Sequence, residues 1–271
     1  MCLKRDLHTP GPFFGHLYST NTMHSYFSSV ATACIVLSST AVQASKVHSR
    51  TDSSSGVTIP LYATYTPYGT VLDAPITIGD QDFLLFLDTG SSDTWVAKRG
   101  FQCLNETDNT IFPQEYCACS KTYDISSTFR HISNQTFGLK YGAGISSGVV
   151  GYEKVTFGGL TLDSQEIGVA DKITDPGDGN DSGILGPGYP ALTSAHPGSN
   201  YSNASLSFFE NRIIYSPLFT SLYTSGLIDP YFSLALDRPA VNVSNGSGGT
   251  LSLGTLPTSP TSALSQRHLL R

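Results

Sequence analysis

Five apolar residues, Phe83-Leu84-Leu85-Phe86-Leu87, run without interruption into Asp88-Thr89-Gly90-Ser91-Ser92, and Asp93-Thr94-Trp95-Val96 follow directly. An apolar run of this length ending in turn residues reads as a strand buried on both faces. Thr, Gly and Ser then let the chain turn sharply. Any fold of this sequence must therefore carry one carboxylate, Asp88, from its interior into a tight loop. Asp-Thr-Gly occurs once, and Asp229 and Asp237 sit in Asp-Pro and Asp-Arg contexts that cannot replace it.

The residues around this loop alternate between strand and turn patterns. Ile76–Ile78 and Phe83–Leu87 read as strands joined by Gly79-Asp80-Gln81-Asp82. Gly138–Tyr141 and Val149–Phe157 flank a Gly/Ser-rich turn, and Gly158-Gly159 before Leu160 is a two-residue hairpin signal. Leu160–Val169 alternates as a half-buried strand does, Asp171–Asp181 reads as an acidic loop, and Gly183–Gly186 as a short buried strand. Pro217–Gly226 opens on Pro and ends on Gly, which predicts a short helix. Phe232–Leu236 and Thr250–Leu253 return to strand. The fold expected is all-β, mainly antiparallel, with one or two short helices.

Hydrophobic residues make up 39% and charged residues 13% of the 271, and 15 Lys and Arg against 21 Asp and Glu leave a net charge of −6. No basic run exists, which argues against nucleic acid as a partner. From Met23 the chain passes through the weakly apolar Val30–Leu37 to Val42-Gln43-Ala44, the pattern of a signal peptide over 23–44. Residues 1–22 then read as an upstream extension. The apolar run is too short to span a bilayer, which takes about 20 residues. Asn-x-Ser/Thr at Asn105, Asn134, Asn180, Asn200, Asn203, Asn242 and Asn245 adds seven glycosylation acceptors. Together these point to a secreted, extracellular protein. Cys103, Cys117 and Cys119 lie beyond the leader, and three thiols in an oxidising compartment make one disulfide and one leftover.

The Asp88 loop resembles the catalytic loop of the pepsin-like aspartic proteases. Trp95 stands where that family has its strand tryptophan, and Tyr141-Gly142-Ala143-Gly144 resembles the flap hairpin that closes over substrate. Ile184-Leu185-Gly186 is similar to the element packed beneath the aspartate loop. Ser216–Phe219, Gly226–Ile228, Tyr231–Ser233 and Gly249–Gly254 fit the helix and strands that come next. The resemblance covers residues 58–254 in order and implies one N-terminal lobe of such an enzyme. Residues 45–57 are left as a linker or remnant pro-segment, and the Ser/Thr/Pro-rich 255–271 as a disordered tail.

What the resemblance implies is water-mediated hydrolysis of polypeptides at acidic pH, with no metal and no cofactor. Asp88 would be half of a two-aspartate pair, supported by Thr89, Gly90, Ser91 (bonding the carboxylate) and Trp95, and Tyr141 with Gly142 would be the flap. In that family two carboxyl groups share one site, and they cannot both ionise. A disulfide from Cys103 to Cys117 or Cys119 matches the short loop the family often has after this strand. The family's second half, with its second aspartate, is not matched. The chain is therefore expected to be inactive as a monomer and to self-associate through an uncovered interface, or to be a non-catalytic peptide-binding lobe. A homodimer supplying Asp88 twice is a third possibility. Gly144-Ile145-Ser146-Ser147-Gly148 also fits the nucleophile elbow of serine hydrolases, which requires a helix after it.

Overall fold

Two hairpins set the framework, and both turn on residues with positive φ. Gly79 (54°) and Asp80 (64°) join the strands of one, Gly158 (59°) and Gly159 (81°) those of the other. Paired positive φ values match the right-handed twist of the strands they connect, which is why glycine sits there. The structure, a computed structural model, describes residues 56–66, 69–142, 144–174, 177–198, 210–238 and 245–257.

Among the described residues the strands are β1 (Val57–Thr66), β2 (Gly69–Ile78), β3 (Gln81–Leu87), β4 (Thr94–Leu104), β5 (Ile111–Phe112), β6 (Arg130–Lys140), β7 (Ile145–Phe157), β8 (Leu160–Ile173), β9 (Gly183–Leu185), β10 (Ala195–Pro197), β11 (Phe232–Leu236) and β12 (Gly246–Leu253). One helix, α1 (Leu218–Thr224), lies between β10 and β11. The strands join in the order β10-β6-β7-β8-β4-β9-β3-β2-β1-β12-β11, with β5 on β4 and a further pairing of β2 to β7. Most pairs are antiparallel; β4–β8 and β3–β9 are parallel.

Alternation along the strands explains the core. In β3, Phe83, Leu85 and Leu87 are buried, and in β1 Ile59, Leu61 and Ala63 are. All of these but Ala63 pack with Ile167 of β8, Leu251 of β12 and Leu218 and Leu222 of α1. A second cluster holds Trp95, Phe137 and Tyr215 beside the disulfide between Cys103 and Cys117. Their Cα atoms are 5.7 Å apart at a sequence separation of 14, and closing a loop of about 15 residues contributes about 3 kcal/mol in the chain-entropy account. Cys119 lies outside that bond and half-buried.

Several boundaries differ from the sequence reading. β8 runs on to Ile173, so Asp171 is a strand residue, because Ala170 and Lys172 register with β4 and Ile173 with both β4 and β7. Ile145–Gly148 belongs to β7 instead of a turn; the chain reverses at Tyr141–Gly144, where the Tyr141 N–H donates to the Gly144 carbonyl at 2.8 Å. Since a strand and no helix follows Gly144, the nucleophile-elbow reading is overturned. The leader at 23–44, Ala143, Asn200, Asn203, Asn242 and the tail beyond Pro257 lie outside the described residues. No helix among the described residues is long and apolar enough to cross a membrane.

Candidate active site

Asp88 is the first residue past the C-terminal end of β3, half-buried, and its loop is tied down from below. Its N–H donates to the Leu185 carbonyl of β9 at 3.1 Å, while Gly186 N–H reaches the Asp93 carbonyl (3.0 Å) and Gly188 N–H that of Ser91 (2.9 Å). The fit is close enough to require glycine: a Cβ on Gly186 would stand 2.6 Å from the Ser91 and Ser92 main chain. Ser92 adds a hydroxyl bond to the Tyr189 carbonyl at 2.7 Å.

The carboxylate of Asp88 accepts from the Gly90 N–H at 2.9 Å, the bond of an Asx turn. Ser91 behaves differently from the sequence expectation. Its hydroxyl meets the Asp88 main-chain carbonyl at 3.5 Å, not the carboxylate. Thr89 is exposed and lines a neighbouring groove with Tyr189, Phe219 and Tyr231.

Across the pocket stands the β6–β7 hairpin. Trp95 Nε1 donates to the Tyr141 hydroxyl at 2.9 Å. Burial, with the Asp93 and Asp88 carboxylates nearby, pushes the Tyr141 phenol well above its ordinary value, so it stays protonated. Asp88, Gly90, Ser91 and Tyr141 converge on one pocket of about 180 Å³. Gly142 is exposed at the hairpin's turn, with open space where a Cβ would be. Of the glycosylation acceptors, Asn134 and Asn245 are exposed and Asn105 and Asn180 half-buried.

Four residues of this pocket's wall carry no signal in the local sequence: Asp93, Ser194, Arg212 and Leu192. Asp93 is 1% exposed. Its Oδ1 accepts from the Ser194 N–H (2.9 Å) and the Tyr215 hydroxyl (2.5 Å), and its Oδ2 has no partner. Burial pushes its carboxyl above the usual range, although both bonds and Arg212 act against that. Asp93 lies inside the quoted Asp88 stretch, but its partners lie about a hundred residues further on.

Asp181-Ser182-Gly183 also reads Asp-Ser-Gly, but a polar loop precedes it and no strand does. β9 runs parallel to β3 with Leu185 opposite Leu87, and the Ser182 N–H donates to the Leu84 carbonyl. Asp181 is thus about five residues back along β3 from Asp88, roughly 16 Å at 3.3 Å per residue. The two cannot share a water.

The chain matches the family described as eukaryotic aspartyl protease over residues 73–262. It is 39% identical over 184 residues to a probable aspartic-type endopeptidase of Aspergillus fumigatus, covering 67% of this chain and 39% of that protein. Mucorpepsin of Rhizomucor miehei is 33% identical over 159 residues, covering 54% of this chain and 34% of its own length. The chain therefore spans less than half the length of these relatives. Among solved structures, the aspartic proteinase from Irpex lacteus aligns with a TM-score of 0.55 at 24% identity, over 77% of this chain and 51% of that one; the likeness is one of fold.

Proposed function

The chain belongs to the eukaryotic aspartyl protease family, and from that premise we propose that Asp88 is one carboxyl group of a water-activating pair that hydrolyses polypeptides at acidic pH. One carboxylate of such a pair, ionised, takes the proton of a water held between the two. The other, protonated, gives its proton to the scissile carbonyl oxygen as the water adds to the carbon. Tyr141 and Gly142 serve as the hairpin that closes over the peptide, and Thr89, Gly90, Ser91 and Trp95 hold the loop and hairpin in place.

The observation that carries this reading is the convergence of Asp88 and the Trp95-bonded Tyr141 on one pocket. The pair's second carboxyl comes from a second lobe: Asp181 lies too far away, and Asp93, the other acid of the pocket, is buried with its Oδ1 held by the Ser194 N–H and the Tyr215 hydroxyl. These 271 residues as a lone monomer are therefore expected to be close to inactive. Loss of a general acid or base costs about 10²–10⁴-fold. A secreted, glycosylated protein with a leader at 23–44 accords with the seven acceptor sites in the sequence.

A second reading is a non-catalytic lobe that holds an extended peptide by strand-like bonds; the single Asp-Thr-Gly favours it. A statine-type peptide mimic separates the two. Under the first reading, the glycosylated chain supplied with a second Asp-Thr/Ser-Gly lobe cleaves an unfolded protein at acidic pH, and the mimic blocks cleavage. Asp88→Asn abolishes it. Peptide binding without any cleavage in the complemented sample, unchanged by Asp88→Asn, would establish the second reading.

A further inference from the structure

The Asp88 loop is fastened at both ends to the same strand end beneath it. The Asp88 N–H donates to the Leu185 carbonyl at 3.1 Å, and the Asp93 carbonyl accepts from the Gly186 N–H at 3.0 Å. The side chain of Asp93 reaches a different part of the molecule. Its Oδ1 accepts from the Ser194 N–H at 2.9 Å and from the Tyr215 hydroxyl at 2.5 Å. The segments of those two partners are tied to each other as well. The Tyr215 N–H donates to Thr193 Oγ1 at 3.3 Å, and the Ile213 N–H to the Ala195 carbonyl at 2.8 Å. These paired segments carry Leu192, Ser194 and Arg212 in the wall of the pocket that Asp88 also lines.

We propose that Asp93 is a positioning residue for the reaction at Asp88; the inference rests on the hydrolysis proposed above. Through its main chain it holds the carboxylate loop to the end of β9, and through its side chain it holds the pocket wall to that loop. It touches no reacting atom, being 1% exposed with Oδ1 given to the wall. What it sets is the spacing between Asp88 and the wall beside the peptide. Rate is steep in such spacing, since a misplacement of about 1 Å can cost about 10²-fold. The Ser92 hydroxyl also holds this wall, at the Tyr189 carbonyl, 2.7 Å away. Losing the Asp93 side chain therefore loosens the wall without releasing it. Asp93 acts by accepting hydrogen bonds at one oxygen. Asparagine keeps one such oxygen and alanine keeps none.

The test uses the full chain supplied with a second Asp-Thr/Ser-Gly lobe, and an internally quenched peptide as substrate at acidic pH. Asp93→Ala, Asp93→Asn and Tyr215→Phe are assayed at a temperature where circular dichroism shows each variant folded. Asp93→Ala is expected to lower kcat about 10–100-fold with KM nearly unchanged, the mark of an interaction that matters in the transition state. Asp93→Asn should keep most of the parent's kcat. Tyr215→Phe should fall between, and adding it to Asp93→Ala should change little, because both remove the same tie. A residue that only stabilised the fold would lower the denaturation midpoint and leave kcat of the folded protein alone. Parent-like kcat in folded Asp93→Ala would overturn the positioning role and leave the hydrolysis standing. So would a loss carried by KM alone, or an Asp93→Asn as slow as Asp93→Ala. If Asp93→Ala does not fold, Tyr215→Phe decides, and a parent-like kcat there overturns the role. If the complemented parent cleaves nothing, the hydrolysis reading itself fails and the positioning role with it.

Discussion

The indole Nε1 of Trp95 donates a hydrogen bond to the Tyr141 hydroxyl at 2.9 Å, linking β4 to the hairpin turn across 46 residues of sequence. Trp95 is the only tryptophan in the chain and is 6% exposed, so its emission reports on this one site. Tyr141→Phe leaves the buried indole N–H without its acceptor, which costs about 1–3 kcal/mol. The expected outcome is a shifted emission maximum and a denaturant midpoint lowered by that amount. Unchanged emission would mean that the hairpin does not hold this position in solution.

Asp93 and Tyr215 form the second long-range tie. Tyr215→Phe removes one of the two bonds to Asp93 Oδ1 and is expected to destabilise by about 1–3 kcal/mol. That bond also lowers the Asp93 pKa, so its removal raises the pKa further. An acid whose folded pKa lies above its unfolded value loses stability as pH rises past the unfolded value. The deficit of Tyr215→Phe should accordingly be larger at neutral than at acidic pH in urea titrations. An equal deficit at both would refute the assignment.

Asp73 gives a separate pH signature. It is wholly buried, has one bond, from Thr64 Oγ1 at 2.9 Å, and leaves Oδ1 unpartnered. Burial, aided by the charge of Asp178, pushes its carboxyl up to about 6. Below about pH 4 both folded and unfolded chains hold the proton, and no stability is lost. Between about 4 and 6 the unfolded chain releases it first, so stability falls by roughly 2–3 kcal/mol and then levels off. Glu166, pushed up to about 7 by burial, adds in the same direction. Asp73→Asn should flatten the 4–6 part of the curve. A variant as pH-sensitive there as the parent would contradict this.

Asp88, its strand, both hairpin turns and α1 are legible in the sequence, because an apolar run, a Gly pair or a Pro-to-Gly span is a local signal. β10 is not. Its Ala-His-Pro becomes a strand only by pairing with Gln135–Phe137 of β6. Asp93 is similarly opaque: nothing near it announces Tyr215, 122 residues later. Ser91 shows the limit of reading a role from a residue type, since its hydroxyl meets the Asp88 main-chain carbonyl instead of the carboxylate. Asp181-Ser182-Gly183 shows the converse, the letters of a catalytic loop without the strand that would deliver the carboxylate.

Within the described residues β11 ends the strand order, with only β12 beside it. Leu234 is 36%, Tyr231 44% and Leu236 59% exposed. Unpaired edges and apolar patches drive association, so the chain should dimerise or aggregate at micromolar concentration. Leu236→Lys should shift sedimentation towards monomer. A parent that sediments as a clean monomer would remove this prediction.

Asp88 is proposed to work only as one of two carboxyls, which acid proteolysis assayed on sedimentation-resolved fractions can establish. Monomer of the 271-residue chain should cleave an unfolded protein no faster than Asp88→Asn does. Cleavage should appear only where a second Asp88 or a second Asp-Thr/Ser-Gly lobe is present, and Asp88→Asn should abolish it there. A stable monomer that digests protein at acidic pH, or activity that survives Asp88→Asn, would rule out a two-carboxyl role for Asp88.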